Sequence, residues 1–460
     1  MRLDLFPIRQ TSKLSVNSVP LTFIFMITNW FCTVVLGVGL FALIASGQNE
    51  GGYNLSQRIN RIRDLGKRDS QAIPALTNYL GDPDRDIRVE AVKAIVKIDT
   101  ASSLDPLIRA THDNDAEVQV RATDGIVNFY MPGYVSRGGL TGSFTRGVRQ
   151  VKSYFSTRNN DAIDPDVTVR PEVSQALADE IRGGATMDSR ANAARAAGIL
   201  RASPAVASLV AALRSKDSEV IFESLVALQK IDDPSAGPAV SFLSRDLDDR
   251  VQATALETIG VLHSTSSASD VRSALGNARN AKIRRAALGC LAMLGIPDDR
   301  KTFQGYLSDK DADLRASALE GLGRIREPED TPAIEEAYNE KNADTKIHLA
   351  AAFALVSEGK VDTSEFSPLR YLVENLDLRA QRNTAQAYLI ELCRREDVRK
   401  ALLPLVAEVT KDQKLALCPV LSASHNEDVV PVLNSLSKDI DPDVALAASK
   451  ALRTVGKTTQ

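Results

Sequence analysis

The chain has 460 residues, of which 44% are hydrophobic and 25% charged, a balance typical of a folded protein and not of a disordered one. Its formal net charge is -3, and the first 47 residues are net basic, so the remainder is more acidic still. This sign disfavours general nucleic-acid binding, which needs a basic face. The four cysteines show no paired spacing, which argues against a metal site or a disulfide framework.

The chain begins with a candidate membrane-targeting segment, residues 1–47. Its apolar run, 21–44, carries no charge and is long enough to cross a bilayer. The small-residue pattern that follows, Ala45-Ser46-Gly47, is typical of a signal-peptide cleavage site. A cleaved signal peptide and a retained signal anchor both fit. We expect a membrane-associated or exported protein, with an extracytoplasmic location favoured. The alternative is a membrane-anchored chain whose repeats face the cytosol.

An amphipathic helical pattern then recurs about every 31 residues along most of the chain. Three marker positions define it, one helical turn apart, as in Ile87, Ala91 and Ile95. The second marker reads Ala91, Ala122, Ala193, Ser224, Ala255, Ala287, Ala318, Ala351, Ala385, Leu417 and Ala448. A small residue in mid-helix lets the helix of the next repeat approach closely, and the aliphatic third marker fills the space between layers. The pattern therefore predicts that the markers form the core.

A second apolar pattern precedes each marked helix, often with a proline near its start, where the missing N–H of proline does no harm. Polar turns such as Gly81-Asp82-Pro83-Asp84 separate the two helices. The unit is therefore helix–turn–helix, repeated about eleven times. We predict an all-α fold, an α-solenoid with a capping helix in 48–71, repeats 1–2 in 72–130 and repeats 3–11 in 172–460.

The stretch Tyr306–Gly323, which reads YLSDKDADLRASALEGLG, resembles the short bacterial HEAT repeat, which also occurs in phycobilin lyases. The resemblance covers most of the chain apart from one insertion, and it implies the fold but not the function. HEAT repeats commonly carry a turn Asp and a second-helix Arg that form a ladder along the stack. Asp82 with Arg88 and Asp309 with Arg315 match that pattern. The resemblance implies that these charges are structural.

The insertion separates repeats 2 and 3 and covers about residues 131–171. It starts Gly-rich and continues with apolar residues at steps of four, three and four beside a basic stripe, the pattern of a basic amphipathic helix. Its candidate partner-binding residues are Arg137, Phe144, Arg146, Val148, Arg149, Val151, Lys152, Tyr154 and Phe155. Three interpretations stay open: a helix packed back on repeats 2 and 3, a helix in a partner's groove, or a helix on an anionic membrane.

The sequence shows no catalytic pattern. Its four histidines are scattered, and it has neither a GxSxG nor an HExxH motif. We therefore expect a non-catalytic scaffold or adaptor that binds protein partners through the solenoid surface, with the insertion as a second candidate surface. No catalytic residue, cofactor, metal, nucleic acid or small-molecule substrate is expected. The alternative is an enzyme or lyase-type subunit that resembles the phycobilin lyases.

Overall fold

The structure is a computed structural model that describes residues 54–135 and 161–458. This described part consists of α-helices, short 3-10 turns and loops, and it contains no β-strand. The chain divides into two compact units, Met1–Ser56 and Gln57–Gln460. The first unit contributes only residues 54–56 to the described part. The second unit holds the helical array.

The array consists of helix pairs in chain order, one pair for each predicted repeat. The first helices of repeats 1 to 11 are Ile73–Asn78, Leu104–Ala110, Pro171–Gly183, Val206–Ala212, Gly237–Val240, Ala268–Gly276, Arg300–Tyr306, Thr331–Asn339, Pro368–Glu374, Glu396–Leu405 and Val430–Leu436. The second helices are Arg85–Ile98, Ala116–Tyr130, Met187–Ile199, Ser218–Ile231, Asp249–Val261, Ala281–Leu294, Ala312–Ile325, Thr345–Ser357, Arg382–Leu392, Lys411–Ser422 and Pro442–Thr458. The prediction of an all-helical fold built from helix–turn–helix repeats is confirmed.

Acidic caps determine where many of the second helices begin. In repeats 1, 4 and 7, the side chains of Asp84, Asp217 and Asp311 accept hydrogen bonds from backbone N–H groups of the first turn. An Asp at this position satisfies donors that the helix itself cannot use, and it complements the positive end of the helix dipole. In repeats 4 and 7 the helix then ends on Asp232 or Arg326, whose positive φ turns the chain towards the next repeat.

The marker positions lie in the core, as the sequence predicts. The second marker is completely buried in every repeat, including the two that lack alanine, Ser224 and Leu417. Ser224 tolerates burial because its hydroxyl donates to the Val220 carbonyl oxygen at 2.7 Å. Adjacent second helices lie so close that a Cβ atom on Gly323 would come within 2.5 Å of the Ala354 Cα atom. Small residues are therefore what permits this packing.

The second helix of repeat 8, Thr345–Ser357, differs from the others because protein surrounds it. Every residue from 349 to 357 is buried. One side belongs to a core shared with repeats 1–7, through residues such as Leu355. The other side belongs to the core of repeats 9–11, through residues such as Phe353. Burial on both sides explains why this helix is apolar all round instead of amphipathic.

The predicted membrane-targeting segment, 1–47, lies outside the described residues, and so does its apolar run, 21–44. No helix of the described part is both long and apolar enough to span a membrane. Within the predicted capping segment, 48–71, the structure places the helix Leu55–Leu65, whose Ile62 side chain is completely buried and belongs to the core of repeat 1.

Candidate interaction surface

The predicted partner-binding residues of the insertion lie outside the described residues. They are Arg137, Phe144, Arg146, Val148, Arg149, Val151, Lys152, Tyr154 and Phe155. The second helix of repeat 2 ends at Tyr130 and the first helix of repeat 3 begins at Pro171, so the insertion occupies the residues between them. Its two ends, 131–135 and 161–170, are described and carry side chains that pack on the repeat core.

The predicted ladder residues Asp82 and Arg88 meet through the backbone, because Arg88 Nη1 donates to the Asp82 carbonyl oxygen at 2.9 Å. The guanidinium of Arg88 forms its ion pair with Asp113 in the turn of repeat 2, at 2.7 Å from Nε to Oδ2. The Asp82 carboxylate pairs with Arg58 of the preceding helix and accepts the Asp84 N–H. These contacts therefore tie the helix Leu55–Leu65 to repeat 1 and repeat 1 to repeat 2.

The second predicted pair, Asp309 and Arg315, follows the same scheme. Arg315 Nε donates to the Leu307 carbonyl oxygen at 3.0 Å, and its Nη2 lies 2.6 Å from Oε2 of Glu340 in the turn of repeat 8. The Asp309 side chain accepts the Asp311 N–H at 2.8 Å and so shapes its own turn. These residues contact repeat termini and turns, which is a structural role.

Sequence reasoning missed two members of the ladder, Arg382 and Lys414, which take the position of Arg88 in repeats 9 and 10. Arg382 Nε donates to the Leu376 carbonyl oxygen at 2.6 Å, and Lys414 Nζ lies 2.9 Å from Oδ2 of Asp439. The signal was present, since both bases directly follow the first marker of their repeat. Ion pairs of this kind near the surface contribute roughly 0.2–1 kcal/mol each.

We define the inner face as the side of the second helices on which groups two repeats apart meet. Arg324 of repeat 7 pairs with Glu391 of repeat 9, at 2.8 Å from Nη2 to Oε2. Its guanidinium carbon lies 4.7 Å from the centre of the Phe353 ring, which belongs to the repeat between them. Tyr388 stacks on the same ring and donates a hydrogen bond to Glu320. Side chains of repeats 7 and 9 therefore meet across repeat 8 on this face.

In repeats 3 to 5, Arg195, Lys230 and Glu257 stand two residues after a second or third marker, the positions that Glu320 and Arg324 take on the inner face. By this register the inner face carries charges of both signs there. Burial disfavours the charged form of Arg195 and by itself would lower its pKa. The Glu223 carboxylate, 3.0 Å from Arg195 Nε, outweighs this effect and raises the pKa of Arg195 above its usual value. Burial lowers the pKa of Lys230 to about 8, and its ammonium donates to the Asp161 carbonyl oxygen at 2.9 Å. Desolvation raises the pKa of Glu257, although its side chain is exposed. Water reaches this carboxylate while protein surrounds it, as in a groove.

The end of the insertion, residues 161–170, lies across the C-terminal ends of the second helices. The Ile163 N–H donates to the Ile199 carbonyl oxygen in repeat 3 at 2.9 Å, and the Ile163 side chain is buried. The Arg170 N–H donates to the Tyr130 hydroxyl oxygen in repeat 2 at 3.1 Å. The segment therefore runs back along the stack towards repeat 2.

Comparison with known protein families identifies the type of repeat in two parts of the chain. Residues 54–126 and 268–355 match the family model of HEAT repeats, so the chain contains HEAT repeats in these two stretches, and the predicted resemblance is confirmed. No curated protein matches the chain in sequence.

The solved structures compared below are distant from the chain in sequence. An engineered protein is 18% identical and aligns over 84% of this chain and 98% of its own, with a TM-score of 0.35. A structure concerned with the interaction between cadherin and beta-catenin is 14% identical, over 84% and 91%, with a TM-score of 0.37. The complex of CpcE and CpcF of phycocyanin lyase from Nostoc is 18% identical, over 70% and 94%, with a TM-score of 0.29. Values this low support no inference about function.

Proposed function

We propose that the chain is a non-catalytic scaffold that binds protein partners on the inner face of its second helices. The HEAT repeats support this proposal, because stacked helix pairs present one long continuous surface that buries a partner by shape and charge. Such a surface needs no catalytic group.

The observation that carries the proposal is the environment of Glu257. Its side chain is exposed on the inner face, and within the described part of the chain it makes no hydrogen bond or ion pair. Desolvation by the surrounding repeats raises its pKa, and the charge of Lys282 in repeat 6 opposes this shift only in part, so the Glu257 carboxylate stays incompletely stabilised in the free protein. A partner cation would relieve that cost, which favours a basic group of the partner at this position.

A matched pair of variants tests the inner face. Tagged full-length protein is used for affinity capture from a detergent extract of the cells that produce it, as wild type, as Glu257→Lys and as Lys301→Glu. Lys301 is exposed on the first helix of repeat 7, so its variant changes charge away from the inner face. A partner that is retained by wild type and Lys301→Glu but lost from Glu257→Lys supports the proposal. Equal retention by both variants rules out the inner face as its site.

The insertion is proposed as a second partner-binding surface, through its candidate residues between Arg137 and Phe155. The matching variant replaces residues 136–160 by a short Gly-Ser linker and keeps the described ends of the insertion, which pack on the repeats. If capture survives this replacement, the inner face binds the partner without the insertion.

We further propose that residues 1–47 direct the chain to a membrane, with the repeats on the extracytoplasmic side. The uncharged run 21–44 supports this proposal. Cell fractionation followed by protease treatment of intact cells or spheroplasts tests it. Recovery in the soluble cytosolic fraction would contradict membrane targeting, and protection of a membrane-bound chain from protease would favour the cytosol-facing arrangement.

A further inference from the structure

The described end of the insertion contains a tight acidic turn. The Val167 N–H donates to the Asp164 carbonyl oxygen at 3.0 Å, which closes a turn with Pro165 in its second position and Asp166 in its third. Asp and Pro are favoured at the first two positions of such turns, and proline holds its φ near the required value. The turn therefore fixes the placement of two carboxylates, those of Asp164 and Asp166.

Two cations of the last repeat contact these carboxylates. Lys450 Nζ lies 2.9 Å from Asp164 Oδ2, and Arg453 Nε lies 2.6 Å from Asp166 Oδ2. Lys450 and Arg453 are three residues apart on the second helix of repeat 11, so their side chains share one face of that helix. The paired residues are 286 and 287 positions apart in the sequence. The contact therefore brings repeat 11 against the segment that crosses the helix ends of repeats 2–4.

The same segment is held in the way a bound peptide is held. It has no regular secondary structure, one buried anchor at Ile163, and a carbonyl oxygen at Asp161 that accepts from Lys230. A cavity of about 350 Å³ remains between it and the loop 200–204. The segment therefore leaves part of its own groove unfilled.

The ion pairs that hold the acidic turn are exposed to water. The side chains of Lys450, Asp164 and Arg453 are 45%, 52% and 53% exposed, whereas that of Asp166 is 13% exposed. Exposed ion pairs contribute little and are screened by salt. A competing acidic segment therefore has only a modest cost to overcome.

We propose that Lys450 and Arg453, together with Lys230 and the ends of the second helices of repeats 2–4, form a binding site for an acidic peptide, which residues 161–170 occupy in cis. The peptide class is an aliphatic residue followed by an Asp-Pro-Asp turn. This inference goes beyond the proposed inner-face site, because it assigns a second site, at the helix ends, to an acidic segment of a protein partner. The partner binds by displacing residues 161–170, so the cis segment reduces its apparent affinity.

Peptide binding tests the site directly. The probe is a fluorescein-labelled synthetic peptide of residues 161–170, measured by fluorescence anisotropy with the full-length chain. In the variant Asp164→Lys/Asp166→Lys the cis segment is repelled from Lys450 and Arg453, so the peptide is expected to bind at least about tenfold more tightly than to wild type. Binding should weaken as salt rises.

Two further sets of substitutions, each added to that double variant, identify the surface. Adding Lys450→Glu and Arg453→Glu should abolish peptide binding, whereas adding Lys438→Glu should not, because Lys438 is exposed elsewhere on repeat 11. Circular dichroism confirms that each variant keeps its helix content. Equal affinity for wild type and the double variant, or unchanged affinity after Lys450→Glu/Arg453→Glu, would overturn the proposal.

A cysteine pair tests the cis contact without disturbing the charges elsewhere. Asp164→Cys with Lys450→Cys should be joined quickly by a flexible bis-maleimide reagent whose length spans the two side chains of the native ion pair, and Asp105→Cys with Lys450→Cys should not. The thiols of Cys290, Cys393 and Cys418 interfere little, because all three are buried and burial raises the pKa of Cys393 to about 12 and of Cys418 to about 11. Cys32 lies outside the described residues and is replaced by Ser in both variants. Failure of the first pair to cross-link would refute the contact.

The two proposals fail separately. If the peptide does not bind while Glu257→Lys still loses the captured partner, only the acidic-peptide site is wrong. If the peptide binds as expected while the inner-face variants capture partners normally, the scaffold binds through the helix ends instead of the inner face.

Discussion

Glu180 allows a quantitative test of how the insertion junction is built. It lies near the end of the first helix of repeat 3 and is only 3% exposed. Its Oε2 accepts a hydrogen bond from the Thr123 hydroxyl at 2.6 Å, while its Oε1 is buried without a partner among the described residues. Burial, assisted by the nearby charge of Asp124, raises the pKa of Glu180 to about 8. The folded protein therefore holds this side chain protonated at neutral pH.

The sign of the pH dependence follows from proton counting. Between the ordinary pKa of 4.5 and the raised value of about 8, the folded state binds a proton that the unfolded state releases. The free energy of unfolding must therefore fall as pH rises through this interval, by about 1.4 kcal/mol per pH unit and by about 4–5 kcal/mol in total. Below pH 4.5 and above pH 8 this group contributes no slope.

The perturbation is Glu180→Gln, with Glu172→Gln as control on the exposed side of the same helix. Glutamine keeps the shape and the acceptor for Thr123 but does not titrate. Because repeat arrays often unfold in stages, the readout is hydrogen exchange of peptides from 116–130 and 171–199 at several pH values. The difference between wild type and Glu180→Gln should grow from pH 5 to pH 8 in favour of the variant. A constant difference, or the same change in Glu172→Gln, would refute a buried protonated carboxyl.

Three further expectations concern stability and are checked by thermal unfolding followed by circular dichroism. Gly323→Ala should destabilise the array by about 1–3 kcal/mol, because the new Cβ atom would meet the backbone of a neighbouring helix at 2.5 Å. Its control, Gly305→Ala, places the Cβ atom in open space and should stabilise its helix by about 0.5–1 kcal/mol. The reverse order would contradict the close helix approach. Asp330→Asn should lower the free energy of unfolding by about 1–3 kcal/mol, since the buried carboxylate accepts two hydrogen bonds from Arg300, at 2.7 and 3.2 Å. An unchanged thermal midpoint would show that this pair contributes nothing. His263→Gly should raise the thermal midpoint modestly, because His263 has a φ of 48°, which glycine adopts more readily. A lowered midpoint would mean that the His263 side chain stabilises the turn.

The repeated core could be predicted because it depends on short-range spacing. A small residue followed one turn later by an aliphatic residue, as in Ala318 and Leu322, specifies a buried face in each repeat without knowledge of the other repeats. The Asp caps and polar turns are equally local. The ladder was predicted less well. Its Asp and Arg were found in repeats 1 and 7, but the bases of repeats 9 and 10 were missed. The pairing of Arg88 with Asp113 of the following repeat also depends on how adjacent repeats are offset.

The sequence alone determined the helix pairs and their buried faces, because both follow from contacts within about one repeat length. The tertiary structure alone decided which distant groups meet. Burial of Phe353 on all sides requires repeats 7 and 9 to close over it through Arg324 and Tyr388. The contact between Lys450 and Asp164 depends on small rotations that accumulate over many stacked repeats. The residue spacing within a single repeat does not reveal this accumulated rotation, so these contacts could not be predicted from the sequence.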